Sequence, residues 1–391
     1  MSLCNMMLRE KPGIAPVDGC PLCGNSLSTW TAARTTRFAA ESSGKTESYT
    51  ASRSSCLRTQ TEATDVMRIF VTGAAGPLGR ALTSALRRRG DAVVGQVRRR
   101  SGVDVLRNLG AEPVMSDLTR ARLLADAMAG CDMTVHVAQY FDLWAPQASS
   151  FHSVNVYGAE NVMNAALEAR VRRVVFVSSS VTIGEQPGYW GTEHTVHRGY
   201  TITSYERSKV TAERAVMRYR SKGLEVVVVN PALVISPGDP GWMGRLFTDF
   251  ISGRRRRAPD APLGWVSVDD AANGIALAAN NGQSGSRYIL SGDTLSTREL
   301  MTRVTRLANR PNPGALPRPL AIGSAALSEA AAGLLGTRPR YSVDEARFAT
   351  SGFRVDGGHA SAALGLEYTP MARYLPPVVA SYRSVALRMS A

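Results

Sequence analysis

The sequence predicts an α/β fold built on a doubly wound parallel sheet, and three observations carry this prediction. Short apolar runs alternate with amphipathic stretches from Met67 onward, which is the pattern of successive strand and helix units. A glycine-rich turn joins the first apolar run to the first amphipathic stretch. Polar residues follow several later runs, and in such sheets the ends of the strands are where ligands bind.

The first unit reads IFVTGAAGPLGRAL and opens with an apolar, partly β-branched run, typical of a strand buried on both faces. Gly73, Gly76 and Gly79 follow at a spacing of three, and Gly90 would end the next helix. Pro77 suits the first helical turn, where a missing N–H costs little. A tight turn into a helix N-terminus presents N–H groups and a positive dipole end to an anion such as a diphosphate. The alternative at this point is a glycine-rich turn without a ligand.

Four further strand-helix units and a final strand follow in order along the chain. Predicted strands cover residues 92–97, 113–115, 133–138, the apolar part of 171–180, and 224–231, and predicted helices cover 102–110, 118–129, 153–169 and 202–222. This rhythm places the glycine-rich turn in the first strand-to-helix connection, where dinucleotide-binding folds carry it. The order of elements therefore favours a bound dinucleotide over an empty turn.

The 391 residues suffice for one large or two medium-sized domains, but residues 1–66 differ from the rest. They are rich in Ser and Thr and lack periodic apolar spacing, so we expect a disordered N-terminal extension that the fold does not need. Cys20 and Cys23 resemble half of a zinc ribbon, whereas Cys4 and Cys56 stand alone and far away. A loose extension is favoured over a zinc site, and no metal is predicted.

The formal net charge of +14 comes almost entirely from arginine, since the chain has only four lysines. The runs 98–100 and 254–257 are not interleaved with aromatic residues, so a nucleic-acid partner is discounted. No apolar stretch reaches the roughly eighteen residues that cross a bilayer, and no basic-then-apolar signal opens the chain. We expect a cytoplasmic protein whose partner is a small-molecule substrate, with a homodimer as an open alternative to a monomer.

Polar residues with chemical potential follow the later strands. Three hydroxyls, Ser178 to Ser180, close the fifth predicted strand. Tyr205 and Lys209 lie four residues apart on a predicted helix, so both side chains lie on one face. Such a pair is common on protein surfaces, but this lysine is one of two after residue 66, which favours a role for it.

These motifs together resemble a known family. TGAAGPLG, the SSS ending at 180, YERSK at 205–209 and NPALV at 230–234 are similar to motifs of the extended short-chain dehydrogenase/reductases. The resemblance is greatest to the dihydroflavonol 4-reductase-like and hopanoid-associated sugar epimerase branch, and it covers residues 67 to about 385. It implies a Rossmann domain that binds NAD(P) over 67–235 and a mostly substrate-binding lobe over 236–391.

The resemblance also implies roles for individual residues. Ser179 matches the catalytic serine, Tyr205 the general acid/base, and Lys209 the lysine that binds the nicotinamide ribose and lowers the pKa of the tyrosine. Asn155 matches an asparagine with a more architectural role. The cofactor-binding positions are Gly73, Gly76, Pro77, Leu78, Gly79, Arg98, Asp117, Leu118, Val137, Ala138, Gln139, Tyr205, Lys209, Pro231 and Val234.

The end of the second predicted strand indicates which cofactor is preferred. NAD-selective sites usually place Asp or Glu there for the ribose 2′-hydroxyl, whereas this strand ends in Arg98, Arg99 and Arg100. Arginine suits a 2′-phosphate, so NADP is favoured and NAD remains the alternative.

The substrate class is less well determined by the sequence. Family members that dehydrate sugar nucleotides carry an Asp-Glu pair where this chain has Ser180 and Val181, which argues against dehydration. The aromatics expected near the site mouth, or alternatively in the core, are Tyr140, Phe141, Trp144, Tyr189, Trp190, Trp242 and Phe247. If they line a pocket, the substrate is hydrophobic, whereas the arginines 254–257 could hold a pyrophosphate or form a solvated cluster.

The sequence thus favours an NADP-dependent reductase or dehydrogenase of a hydrophobic carbonyl or alcohol. A sugar epimerase with retained cofactor and a non-catalytic nucleotide sensor are the alternatives.

Overall fold

The computed structural model of the chain describes residues 66–388, with side chains described up to residue 383. The predicted extension lies outside the described residues except for its last position, as do its four cysteines. The strands are β1 (Arg68–Thr72), β2 (Ala92–Val97), β3 (Glu112–Met115), β4 (Met133–His136), β5 (Arg173–Val177), β6 (Trp190–Gly191), β7 (Glu225–Pro231), β8 (Leu233–Ile235), β9 (Arg257–Ala258), β10 (Pro262–Ser267), β11 (Arg287–Leu290), β12 (Asp293–Ser296), β13 (Gly314–Ala315) and β14 (Arg354–Val355).

Helices connect and cover these strands. They are α1 (Pro77–Arg88), α2 (Ser101–Asn108), α3 (Ala121–Met128), α4 (Ser149–His152), α5 (Gly158–Glu168), α6 (Ser204–Met217), α7 (Trp242–Ile251), α8 (Val268–Asn281), α9 (Thr297–Leu307), α10 (Arg318–Leu335), α11 (Val343–Ala349), α12 (Gly358–Leu364) and α13 (Met371–Arg388). A π-helical segment, Ser153–Tyr157, joins α4 to α5, so the predicted helix over 153–169 begins earlier than expected. Within residues 66–388, no helix combines the length and apolar character needed to cross a bilayer.

The main sheet has seven parallel strands in the order β3-β2-β1-β4-β5-β7-β11. The strand order reverses between β1 and β4, which is the switch point where doubly wound folds bind ligands. One face packs against α1, α2, α8 and α12, and the other against α3, α5 and α6. Strand β7 illustrates the cause, because its four consecutive valines fill both faces with apolar side chains. The predicted α/β doubly wound fold is therefore confirmed.

The chain returns to this sheet after position 235, where the sequence placed the end of the dinucleotide domain. Strand β11 pairs with β7 from Arg287 to Leu290, and α8 packs on the sheet face. An edge strand needs only one neighbour, so a segment distant in sequence can add to the sheet here. The remaining strands form a three-stranded sheet, β12-β10-β8, and two small sheets of two strands each. A second apolar core in this part of the fold includes Trp242 and Trp265.

Candidate functional site

The glycine-rich turn after β1 has the backbone shape that glycine alone tolerates well. Gly73 has φ +65°, and a Cβ there would lie 2.8 Å from the Cα of Ala138. A Cβ on Gly79 would lie 2.2 Å from the carbonyl oxygen of Gly73, so this glycine lets the helix pack closely against the turn. Gly76 has more room and caps α1 without a side-chain hydrogen bond, and Pro77 occupies the first turn. The uncapped N–H groups fit a diphosphate.

A side chain that the sequence analysis missed holds this turn in place. Gln96 is buried in β2, where its Oε1 accepts a hydrogen bond of 3.0 Å from the N–H of Gly73. Its Nε2 donates to the carbonyl oxygen of Ser116 at 2.6 Å. Gln96 is a polar residue within an apolar strand, and that is the signal by which the sequence could have revealed it.

Arg98, Asp117 and Leu118 follow β2 and β3 at the same edge of the sheet. The side chain of Arg98 is exposed. Hydrogen bonds from Thr119 lower the pKa of Asp117, and the nearby charge of Arg98 lowers it further. The Nδ2 of Asn161 on α5 donates to the carbonyl oxygen of Leu118 at 2.8 Å, which ties this loop to the helix layer.

The end of β4 lies directly beside the glycine-rich turn. The hydroxyl of Thr72 lies 2.8 Å from Nδ1 of His136 and accepts from the N–H of Ala138 at 3.1 Å. Burial lowers the pKa of His136 to about 3, and the charge of Lys209 acts in the same direction. His136 is therefore neutral, and its hydrogen bond with Thr72 connects β4 to β1. Val137, the next residue, is buried.

The structure brings Tyr205 together with residues from the loops after β4 and β5. Thr203 caps the start of helix α6, where its hydroxyl accepts from the N–H of Glu206, so Tyr205 lies in the first turn. The Tyr205 hydroxyl donates to Oε1 of Gln139 at 3.2 Å and is hydrogen-bonded to the side chain of Ser179. The Tyr205 ring is buried and meets Phe141 edge-on, with ring centroids 5.0 Å apart.

Lys209 lies one helical turn after Tyr205 and is 1% exposed. Its Nζ donates to the carbonyl oxygen of Val177 at 3.1 Å and lies 4.9 Å from the centroid of the Phe176 ring. Burial lowers the pKa of Lys209 to about 7, although the charge of Glu213 opposes this. An ammonium group has three N–H donors, so this geometry leaves donors for a ribose at the site.

The expectation that Lys209 lowers the pKa of Tyr205 does not hold for the chain by itself. Burial raises the pKa of Tyr205, and only its hydrogen bond with Ser179 opposes the shift. Loss of hydration disfavours the phenolate, and a lysine whose own pKa is lowered supplies little compensating charge. The phenol is therefore protonated at neutral pH.

Glu213 organises a buried polar network behind this cluster that the sequence analysis did not anticipate. Its Oε2 accepts from Ser178 at 2.5 Å, Thr182 at 2.7 Å and Asn230 at 2.9 Å. Its Oε1 lies 2.5 Å from a guanidinium nitrogen of Arg287 on β11. The network thus links the loop after β5 to β7, β11 and α6. The spacing of Tyr205, Lys209 and Glu213 at i, i+4 and i+8 on one helix face was the available signal.

Asn155, in the π-helical segment, positions the loop after β4. Its Oδ1 accepts from the N–H of Tyr140 at 2.7 Å, and its Nδ2 donates to the carbonyl oxygen of Tyr140 and to the hydroxyl of Ser208. The π-helical turn sets this side chain between the loop and α6. The contacts agree with the architectural role expected for it.

A second buried carboxylate lies beside the segment that leads into α6. Burial raises the pKa of Glu185 to about 7, with Glu206 adding to the rise and the charge of Arg198 opposing it. Arg198 is ion-paired with Glu206 and lies over the rings of Tyr200 and Phe353. The charge of Arg198 thus acts on two buried carboxylates, Glu185 and Glu206. Because its pKa is raised, Glu185 binds a proton more readily in the folded than in the unfolded chain.

This raised pKa predicts a pH-dependent effect of Glu185→Gln. Between about pH 4.5 and 7 the folded chain holds a proton that the unfolded chain has lost, so the wild-type protein loses stability as pH rises through this window. We expect Glu185→Gln to raise the free energy of unfolding at pH 8 by about 1–3 kcal/mol and to change it little at pH 4.5. Urea unfolding at both pH values measures this. The exposed Glu367, changed to Gln, is the control, and an equal effect of Glu185→Gln at both pH values would contradict the assignment.

A cavity of about 530 Å³ lies in the part of the fold built on α7, and Tyr205 is not among the residues that line it. Of the predicted mouth aromatics, Trp144 and Trp242 line it, and Phe141 joins Trp242 to Tyr205 through edge-on ring contacts. The remaining aromatics have other positions: Tyr140 packs against the core, Phe247 is fully buried in it, and Tyr189 and Trp190 are exposed.

Three of the arginines that line this cavity are paired with Asp142 or Glu345. Asp142 lies 3.0 Å from Arg245 and 2.6 Å from Arg338, and Glu345 lies 2.6 Å from Arg255. Arg255 is thus held in the fold rather than lying in a solvated cluster.

The last two predicted cofactor positions lie at the end of β7 and just beyond it. Pro231 closes β7 beside Leu290, and Val234 is half-buried in β8, where it pairs with Val266. Among residues 66–388 no group of three or more His, Cys, Asp or Glu could hold a metal ion.

The fold and the turn geometry define a Rossmann-type dinucleotide-binding protein, and comparison with known sequences identifies its family. Residues 69–291 match the NAD dependent epimerase/dehydratase family, and the chain belongs to that family. It is an NAD(P)-dependent oxidoreductase of the extended short-chain dehydrogenase/reductase type, as the sequence motifs predicted.

Relatives with assigned names include reductases. The chain is 33% identical over 323 residues to sterol demethylase protein B of Methylococcus capsulatus, which covers 81% of this chain and 98% of that protein. It is 34% identical over 241 residues to a 4-hydroxy-2-methyl-3-oxo-4-farnesyl-3,4-dihydroquinoline-1-oxide ketoreductase of Stigmatella aurantiaca. This match covers 60% of this chain and 72% of that protein. Among solved structures, gox2253 superimposes with a TM-score of 0.71 at 32% identity, covering 82% of this chain and 98% of the other.

Proposed function

We propose that this protein is an NADP-preferring reductase or dehydrogenase acting on a carbonyl or alcohol of a hydrophobic or aromatic small molecule. The observation that carries the proposal is the hydrogen bonding of Tyr205 with Ser179 and Gln139, one helical turn from the buried Lys209. The names of two relatives, one a sterol demethylase protein and the other a ketoreductase of a farnesylated quinoline, support a hydrophobic substrate.

The residues around the glycine-rich turn would hold the cofactor. The uncapped start of α1 suits its diphosphate, the remaining donors of Lys209 suit a ribose, and Pro231 and Val234 would lie under the nicotinamide. NADPH, when bound, would supply the hydride that reduces the carbonyl carbon. Tyr205, protonated at neutral pH, then gives its proton to the carbonyl oxygen, and the product is the alcohol. Ser179 donates a hydrogen bond to the same oxygen as negative charge develops on it.

The same proposal assigns cofactor binding and substrate binding to different parts of the chain. Residues 67–235 bind the dinucleotide, and residues 236–391 mostly bind the substrate. The exceptions are β11, which belongs to the large sheet, and α8 and α12, which belong to the layer that covers it. The cavity beside α7 would take the body of the substrate, with its carbonyl near Tyr205.

The lining of this cavity favours a hydrophobic substrate over a sugar nucleotide. Trp144, Trp242 and Leu246 contribute apolar surface. The guanidinium groups of Arg245 and Arg338 are bound by Asp142, so a diphosphate would have to displace an existing ion pair. The sugar epimerase is retained as the alternative, because it would use the same tyrosine and lysine.

Arg98 is proposed to read the 2′-phosphate that distinguishes NADPH from NADH. It is exposed at the end of β2, beside Asp117. Arg98→Ala is expected to weaken NADPH binding by about 1.5–3 kcal/mol, because a charge-assisted hydrogen bond is lost, and to leave NADH binding almost unchanged. Fluorescence titration with both cofactors measures this. Arg107→Ala, an exposed arginine on α2, is the control, and equal weakening of both cofactors by Arg98→Ala would contradict this role.

A substrate screen tests the proposed reaction directly. The purified protein is incubated with NADPH and with panels of aromatic ketones, keto-steroids and isoprenoid ketones, and oxidation of the cofactor is followed by its absorbance. Turnover of one panel, faster with NADPH than with NADH, is the expected result. Oxidised cofactor released from the purified protein on denaturation, with no turnover of any ketone, would instead support the epimerase. Cofactor binding without either result would favour the nucleotide sensor.

A further inference from the structure

Helix α10 carries its large apolar side chains on the outside of the fold. Its buried positions are the alanines Ala321, Ala325 and Ala332, whose small side chains bring the helix close to the rest of the lobe. Its exposed positions include the leucines Leu320, Leu327, Leu334 and Leu335, which are 58%, 71%, 90% and 75% exposed. A helix on a soluble protein normally has the reverse arrangement, with large apolar residues facing the core.

The exposed leucines form one continuous stripe. Leu320, Leu327 and Leu334 follow at intervals of seven residues, so they lie along one side of the 18-residue helix. The positions between them on this side are Gly323, Ser324, Ala330 and Ala331, which add no charge. Single exposed leucines need no explanation, but a row along a whole helix indicates a surface that meets another apolar phase.

The surroundings of this stripe are strongly basic. The exposed arginines on α10 and on the segments before and after it in the fold are Arg254, Arg256, Arg257, Arg318, Arg338 and Arg340. Three of these arginines, Arg254, Arg256 and Arg257, and the less exposed Arg255 line a hollow of about 330 Å³ together with Ala321 and Ser324 of α10 itself. Helix α10 carries one carboxylate, Glu329, and that group accepts a hydrogen bond from the N–H of Val343.

We propose that α10 and its flanking arginines dock this protein onto an anionic lipid surface. A helix with an apolar face and basic flanks lies in the headgroup region, with leucines inserted and arginines among the phosphates. Charge argues against a second copy as the occupant, because a symmetric contact would bring two arginine clusters together. A nucleic acid would meet the arginines but would leave the leucine stripe in water. The helix lies on the bilayer and does not cross it, in keeping with the lengths and hydropathy of the helices over 66–388.

Co-sedimentation of the full chain with lipid vesicles tests this proposal without any enzymatic readout, so its outcome is independent of the proposed reaction. Vesicles of phosphatidylcholine are compared with vesicles that also contain phosphatidylglycerol. We expect binding to the anionic vesicles that weakens with added salt. Leu327→Glu combined with Leu334→Glu should lower the partition coefficient at least about tenfold, because apolar insertion is lost and negative charge is added. Arg256→Ser combined with Arg257→Ser should weaken binding and reduce its salt dependence.

The control variant combines Leu123→Glu with Val196→Glu, which changes two exposed apolar residues away from α10 and should leave vesicle binding unchanged. Circular dichroism and cofactor binding establish that each variant is folded. Absence of binding to anionic vesicles, or binding that the leucine variant leaves intact, would overturn the proposal. Two further outcomes would also overturn it. One is a wild-type dimer in sedimentation velocity that the leucine variant dissociates, and the other is binding of a DNA duplex in preference to vesicles.

Discussion

Tyr205→Phe is expected to lower turnover by roughly 10² to 10⁴-fold, the usual contribution of a positioned acid/base group. Phenylalanine keeps the ring and its contact with Phe141, but removes the hydroxyl that bonds to Gln139 and Ser179. The proton that the carbonyl oxygen must receive is then missing, while the cofactor-binding turn is untouched. The measurement is kcat and KM on the substrate identified by the screen, together with NADPH affinity by fluorescence.

Tyr219→Phe is the matched control for this experiment. Tyr219 follows the same helix, and its hydroxyl donates to Oδ1 of Asn164 at 2.8 Å, away from the site. It should retain near-normal kcat. Ser179→Ala should lower kcat less than Tyr205→Phe does, whereas Lys209→Ala should lower both kcat and cofactor affinity. Near-normal turnover by Tyr205→Phe would show that another group supplies the proton.

Glu213→Ala is expected to lower the free energy of unfolding by about 3–5 kcal/mol, since it removes the acceptor that joins a buried network. Ser178, Thr182 and Asn230 would each lose a hydrogen bond inside the fold, and Arg287 would lose its ion pair. The loop that carries Ser179 would then lose the attachment to α6 that Glu213 provides. Urea unfolding followed by circular dichroism measures the change.

Two further variants separate charge from general damage to α6. Glu213→Gln retains an acceptor for the hydroxyls and should have an intermediate effect, mainly through loss of the ion pair with Arg287. Glu168→Ala, at an exposed position on α5, should change stability by less than about 0.5 kcal/mol. A loss below about 1 kcal/mol for Glu213→Ala would show that the network contributes little to stability.

Local patterns predicted the elements of the site but not its contacts. The strand over residues 92–97 and the glycine spacing after β1 were read correctly, because apolar periodicity and glycine act within a few residues. Gln96 was missed because its partners, the N–H of Gly73 and the carbonyl of Ser116, are 23 and 20 residues away. The same reason applies to Glu213, whose contacts come from three other segments of the chain.

The sequence by itself determined the fold class, the glycine-rich turn after β1, and the family, because each depends on residues close together along the chain. Tertiary structure alone decided the protonation of Tyr205, the low pKa of Lys209 and the pairing of Arg255 with Glu345. These properties depend on how far packing removes a group from water and which charge it meets there. The exposure of the leucines of α10 was also decided by tertiary structure alone. Periodicity shows that a helix has an apolar side, but only packing shows which side is covered.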